Sequence, residues 1–196
     1  MTGTKRAVFE AALLKFAEKG YASASMRDIA EAVGIKAASL YNYYPGKDSI
    51  LGEVYAFVRN LAPESDSGAE AAQEAEGAAA ILAAQSLGYI DRFDDPLIGA
   101  AWTVVSEEQY IDPRAAELIV EVTERFMGAL AALFERLGGP ETGELAVAYG
   151  YASRALHLEY GLRRRHGLPT GEVLGRMRTL AETFGALLDE RKGEDR

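Results

Sequence analysis

The sequence predicts an all-α chain, an N-terminal helix-turn-helix domain of three helices followed by a helical bundle. Apolar residues recur at steps of three and four along most of the 196 residues, the period of an amphipathic helix, and strand alternation is absent. Glycine and proline punctuate these runs where helices stop and start. Residues 25 to 47, SMRDIAEAVGIKAASLYNYYPGK, hold two short helices joined at a glycine, the second too polar on one face to be core.

Phe9, Leu13 and Phe16, with Ala12 and Ala17, make the stripe of a first helix ending at Gly20. A second helix starts at Ser25, whose hydroxyl can cap it while Asp28 reaches back as in a capping box. Its apolar residues Ile29, Ala30 and Val33 share a face, and Gly34 supplies the positive φ that a sharp turn needs. The third helix is expected from about Ala37 to Tyr44, stopped by Pro45. At 100° per residue Leu40 and Tyr44 fall on one side as anchors, and Ala38, Ser39, Asn42 and Tyr43 face outward.

The outward set suits base edges in a major groove. Ala38 and Ser39 allow close approach, and Asn42 carries the donor and acceptor that pair with adenine. Tyr41 lies at the margin, where a phenol can meet a phosphate. Arg27 and Lys36 flank the approach and Lys47 opens the next helix, a placement suited to backbone contacts that give affinity and register. The spacing alone also fits an ordinary amphipathic hairpin with solvated charges.

A fourth helix, with Ile50, Leu51, Val54, Tyr55 and Val58, connects this head to the remainder, and Pro63 to Gly68 reads as a linker. Beyond it come an alanine-rich run to Phe93, a segment from Asp95 to about Tyr110 and a long one from Asp112 to Leu137. Pro96 and Pro113 each stand behind an aspartate able to cap. The last two helices, about Thr142 to Arg165 and Thr170 to Lys192, flank HGLP as a hairpin. In the final one Val173, Met177, Leu180, Phe184 and Leu187 form a stripe suited to a bundle. The one before carries two stripes: Tyr149, Ala152, Leu156 and Tyr160, and the smaller Gly150, Ser153, His157 and Gly161. Two stripes need two partners. One is the chain's own core, and the other is either a twofold mate or a second neighbour within the monomer.

The net charge of −9 is unevenly spread. Residues 1 to 60 carry eight basic against six acidic side chains, so the head is +2 and the rest −11. Polyanion binding is confined to the N-terminal part, and the acidic body would repel DNA outside it. Cysteine is absent, which excludes disulfides and thiolate metal sites. Charges interrupt the N-terminal apolar residues, so neither a signal peptide nor a membrane span is expected there, and a cytoplasmic protein is the default.

Catalysis has no pattern behind it. The two imidazoles are His157 and His166; His157-Leu158-Glu159 does not put two ligands on one helix face, and His166 ends an Arg-rich helix terminus. No HExxH, glycine-rich phosphate loop or triad signature occurs, so neither catalytic nor metal residues nor a cofactor are assigned.

SMRDIAEAVGIKAASLYNYYPGKDSIL resembles the DNA-binding signature of the tetracycline-repressor (TetR) family of bacterial transcription regulators. Gly20-Tyr21, Ser25, Ile29-Ala30, Val33-Gly34-Ile35, Leu40-Tyr41, Tyr44, Lys47 and Leu51 stand in the family's order and spacing, over about the first third of the chain. The chain departs from the family at Lys36, where Ser or Thr often caps the recognition helix, and at Tyr44, where Phe is usual and whose hydroxyl needs a partner. The resemblance implies a head at 1–46 and a ligand-sensing and dimerisation domain at 47–196, with helix 47 to 61 joining them. It implies that Arg27 and residues 37 to 43 (Ala37, Ala38, Ser39, Asn42, Tyr43) read bases, while Ser25, Tyr41 and Lys47 meet phosphates; for Lys36 a phosphate contact is a substitute role.

The implied protein is a homodimeric repressor on a palindromic double-stranded operator, released by a small-molecule effector; an activator, an effector-independent DNA binder and a helical interaction module are the alternatives. Aromatic and methionine residues of the middle helices, Tyr89, Phe93, Trp102, Tyr110, Phe126 and Met127 with Tyr149, are the candidate pocket lining, with plain core packing the alternative for each. Gly150, Ser153, His157, Gly161, Met177, Leu180 and Phe184 are the expected dimer seam.

Overall fold

A computed structural model describes residues 3–61, 77–92 and 94–194, and every regular element among them is helical. The expected linker at Pro63 to Gly68 and the pocket candidate Phe93 lie outside the described residues. Contacts gather the chain into two compact units, Met1–Ala62 with Asp94–Val122, and Pro63–Phe93 with Thr123–Arg196.

The first unit holds α1 (Gly3–Lys19), α2 (Met26–Val33), α3 (Ala37–Leu40), α4 (Lys47–Leu61), α6 (Pro96–Glu108) and the start of α7 (Pro113–Gly138). Helix α1 buries Val8, Phe9, Ala12, Leu13 and Phe16 and packs on α2, α4 and α6. One core joins these residues to Ile29, Leu40, Tyr44, Val54, Ala101, Val105 and Leu118. Both aspartate-proline starts form as the sequence implies: Asp95 accepts from the amides of Leu97 and Ile98, and Asp112 from that of Arg114.

A polar clasp fastens α4 to the start of α7. Arg114 reaches both Asp112 (2.7 Å) and Asp48 (2.6 Å), and its guanidinium lies 5.5 Å from the centre of the Tyr55 ring. The Tyr55 hydroxyl in turn donates to Asp112 at 3.0 Å. Glu108, near the end of α6, is only 8% exposed. Burial pushes its carboxyl above the usual range, and the neighbouring Asp112 and Glu107 push the same way.

Helix α3 is shorter than its pattern suggests. It stops at Leu40, and the next residues form a tight turn in which the amides of Tyr43 (2.9 Å) and Tyr44 (3.1 Å) both donate to the Leu40 carbonyl. Two causes combine. Lys36 offers no side-chain cap at the start, and Pro45 biases Tyr44 away from helical angles.

The second unit holds α5 (Ala78–Arg92), the remainder of α7, a 3-10 turn at Pro140–Thr142, α8 (Gly143–Arg165) and α9 (Gly171–Glu194). The HGLP hairpin closes with Gly167 at φ 65° and the Leu168 amide on the Arg163 carbonyl at 2.8 Å. On α9 the buried line is Val173, Met177, Ala181 and Leu188, with Leu180 and Phe184 half-buried; Leu187, expected in the stripe, is exposed. The line follows small residues because α9 runs very close to α5. A Cβ on Gly185 would collide with the backbone N and Cα of Ala79.

A buried polar pair crosses this unit. The His157 ring lies 3.0 Å from the Ser86 hydroxyl and stacks at 4.6 Å on Tyr89. Burial lowers the imidazole from its ordinary 6.5 to about 4, against a weaker opposing effect of the Ser86 carbonyl.

Gly185→Ala is expected to cost about 1–3 kcal/mol through overpacking against backbone that cannot yield, measured by urea unfolding. The neutral His157 makes a second expectation. Its folded pKa lies below its unfolded one, so its stabilisation is present above the unfolded value and is lost as pH falls from 6.5 toward about 4. Over that window the wild type should lose about 3 kcal/mol more than His157→Gln, compared by urea titration at each pH; parallel losses would show that His157 does not charge on unfolding.

Candidate nucleic-acid interface

The candidate interface is assembled from α2, α3 and the turn after them. Ser25 accepts from the Asp28 amide at 3.2 Å while the Asp28 carboxylate accepts from the Ser25 amide at 2.9 Å, a complete capping box. Asp28 also takes the Ser25 hydroxyl proton and pairs with Lys19 at 2.7 Å, and these partners, Lys19 first, hold its carboxyl far below the usual range. Gly34 leaves α2 at φ 76°, and the Ile35 amide closes back on Ala30 at 3.0 Å.

Two side chains anchor α3 and its turn to the core. Leu40 is fully buried and Tyr44 is 3% exposed. Arg27, Lys36, Ala38, Tyr41, Asn42 and Tyr43 are exposed, while Ala37 and Ser39 are half-buried. Tyr41, Asn42 and Tyr43 are held by the turn at the end of α3.

The ammonium of Lys47 does not point outward. It donates to the carbonyls of Tyr21 (2.8 Å), Ala22 (3.0 Å) and Ala24 (3.1 Å) and sits 4.5 Å from the centre of the Tyr21 ring. All three protons are engaged, so the residue clasps the α1–α2 turn to the start of α4, and the phosphate contact implied for it gives way to this role. Ser25 likewise spends its hydroxyl within the head.

The Tyr44 hydroxyl finds its partner in Glu53 of α4, which is also paired with Lys5 of α1 at 2.8 Å. Burial first and Glu53 second push the Tyr44 phenol well above its ordinary range. Burial alone would raise the Glu53 carboxyl, yet Lys5 and Tyr44 together hold it below the usual value. The sequence shows the need of the Tyr44 hydroxyl but not its partner, because Glu53 lies nine residues on in the next helix and is itself held by Lys5, 48 residues away, with no shared pattern.

The residues expected in the pocket are divided between the two units. Tyr89, Phe126, Met127 and Tyr149 belong to the second unit, where Tyr89 and Phe126 have ring centres 6.3 Å apart and the Tyr149 hydroxyl donates to the Leu82 carbonyl at 3.2 Å. Trp102 packs at the edge of the first unit's core, and Tyr110 is 87% exposed beyond the end of α6, so it lines no interior.

The expected seam also moves. Gly150, Ser153, His157 and Met177 are buried within the chain, Gly161 and Leu180 are half-buried, and Phe184 packs on Phe134 and Tyr149. A Cβ at Gly150 would strike Met127 and Leu130. The smaller stripe of α8 therefore faces its own core. A different set on the same helix is exposed: Val147 51%, Tyr151 61%, Leu158 59% and Leu162 51%. Among the described residues no group of His, Asp and Glu could hold a metal ion, and no helix is long and apolar enough to cross a membrane.

Residues 8–54 match the family model for bacterial regulatory proteins of the tetR family. Over 53 residues the chain is 36% identical to the HTH-type transcriptional repressor KstR2 of Rhodococcus jostii (strain RHA1), a match covering 27% of this chain and 26% of that protein. The chain thus matches about a quarter of that relative's length. Over most of its length it shares its fold with a TetR-like transcriptional regulator from Rhodococcus sp. RHA1, at TM-score 0.68 and 18% identity, covering 92% of this chain and 94% of that one. A Saccharomonospora viridis protein solved in complex with choline matches at TM-score 0.66 and 21% identity, covering 94% and 96%. Residues 8–54 thus match the model of the tetR family of bacterial regulatory proteins, and over most of its length the chain shares the all-helical fold of these solved structures.

Proposed function

We propose that this chain is a dimeric transcriptional regulator that reads double-stranded DNA through residues 1–46 and senses a small molecule through residues 47–196, with α4 joining the two roles. The observation that carries the reading is the exposure of Ala38, Asn42 and Tyr43 beside the buried anchors Leu40 and Tyr44. Arg27, Ala37 and Ser39 complete the proposed base-reading set, with Tyr41 and Lys36 at phosphates. Asn42 offers an amide to adenine, and the small Ala38 allows the close approach this requires.

The proposed dimer uses the exposed line Val147, Tyr151, Leu158 and Leu162, at steps of four, seven and four along α8. An apolar helical face of this kind is the usual material of a helix-bundle seam, and twofold pairing would place two heads on a palindrome. A repressor is the role favoured by the likeness of the head to KstR2.

For the effector, Tyr89, Phe126, Met127 and Tyr149 supply aromatic and thioether bulk around the neutral Ser86–His157 pair. Release occurs if the effector binds the DNA-incompetent arrangement more tightly than the competent one. Such a regulator works in the cytoplasm, beside its DNA.

The operator is to be selected from a random duplex pool with the wild-type protein. Asn42→Ala with Tyr43→Ala is then expected to weaken operator binding by about 1–3 kcal/mol or more, read by fluorescence anisotropy, with the fold intact by circular dichroism; wild-type affinity in that variant would refute the base-reading role. Leu158→Asp is expected to shift the protein toward monomer in sedimentation velocity and to reduce operator affinity, whereas an unchanged dimer would exclude this face as the seam.

A further inference from the structure

The recognition segment is poorly held by its own backbone. Helix α3 has four residues, Lys36 gives its start no side-chain cap, and the tyrosines beyond it belong to a turn. Its angle relative to α4 must come from tertiary contacts. Leu40 fixes depth in the core but, being apolar, gives little directional control. The directional contact is at Tyr44.

There the phenol donates to Glu53, the Glu53 carboxylate takes the Lys5 ammonium at 2.8 Å, and that ammonium sits 4.9 Å from the centre of the Tyr44 ring. The three groups form a closed triangle joining α1, α4 and the residue next to Tyr43. Lys5 and Glu53 are 33% and 27% exposed, so the pair is better shielded than an ordinary surface ion pair. Packing does not require the hydroxyl, since a phenyl ring would fill the same volume. The oxygen adds a fixed direction.

We propose that Tyr44, Glu53 and Lys5 are positioning residues for sequence recognition: the bridge sets the angle of the reading face on α4 and makes specific binding depend on it. The inference rests on the DNA-reading role proposed above. A bridge of this kind orients the face without touching DNA, so its loss penalises the operator, which demands register, more than unrelated DNA held by phosphate contacts.

The test measures wild type, Tyr44→Phe, Glu53→Gln and the double variant on the selected operator and on an unrelated duplex. Each single change is expected to lower operator affinity about 10-fold and to leave unrelated-duplex affinity within about 2-fold, with the double variant no worse than the weaker single. Lys5→Arg, which keeps the cation, should retain operator affinity, and Lys5→Met should lose it. Wild-type operator affinity in Tyr44→Phe, equal losses on both duplexes, or additive losses in the double variant would each overturn the bridge while leaving the DNA reading intact. A wild-type protein that enriches no sequence from the pool overturns both.

Discussion

A helix of four residues cannot hold its own shape in water, because nucleation fixes several dihedral angles for the return of one hydrogen bond. Helix α3 is such a helix, and the head is organised around supplying from outside the support it lacks. Leu40 and Tyr44 bury it, the capping box and Gly34 fix the helix before it, and Lys47 ties the α1–α2 turn to the start of α4. Apart from the capping box and the Gly34 turn, which are local to α2, these contacts join residues in different elements. This short helix is therefore as well ordered as its neighbours make it.

The same logic extends to α4. It receives the Tyr44–Glu53–Lys5 triangle near its middle, the Lys47 clasp at its start, and through Asp48 and Tyr55 the Arg114–Asp112 pair from the start of α7. Ion pairs of this exposure contribute little singly to stability, but they are directional. A helix gripped at several points by oriented polar contacts has few ways to tilt. For the regulatory role proposed, that restriction would convert a displacement of α4 into a defined displacement of the reading face.

Local chemistry was the legible part of the sequence. Caps at Ser25, Asp95 and Asp112, the stops at Gly20 and Gly34, and the anchors Leu40 and Tyr44 all follow from spacing and residue type, and the structure has them where the pattern put them. The misreadings share a cause: periodicity says which residues lie on one helix face but not which surface that face meets. The Gly150, Ser153 and His157 stripe has the look of a surface for a second copy, yet its smallness serves the approach of Met127, and its histidine pairs with a serine 71 residues away. Leu187 continues a stripe that the structure turns outward, because Gly185 lets α9 lie against Ala79 and displaces the buried line to Leu188. Tyr110 has the composition of a pocket residue but sits past the helix end that would have turned it inward.

The head's modest positive charge is less available than the count suggests. Lys5, Arg6, Lys15, Lys19 and Arg59 are each paired with a carboxylate, and Lys47 is spent on carbonyls. Arg27 and Lys36 are the exposed basic side chains of the head for which no ion pair occurs among the described residues. Association with a polyanion driven by so few uncommitted cations would displace few condensed counterions, and its dependence on ionic strength would be correspondingly shallow. In the role proposed for it, the protein would owe its grip on DNA to fit and to doubling by symmetry more than to electrostatic attraction.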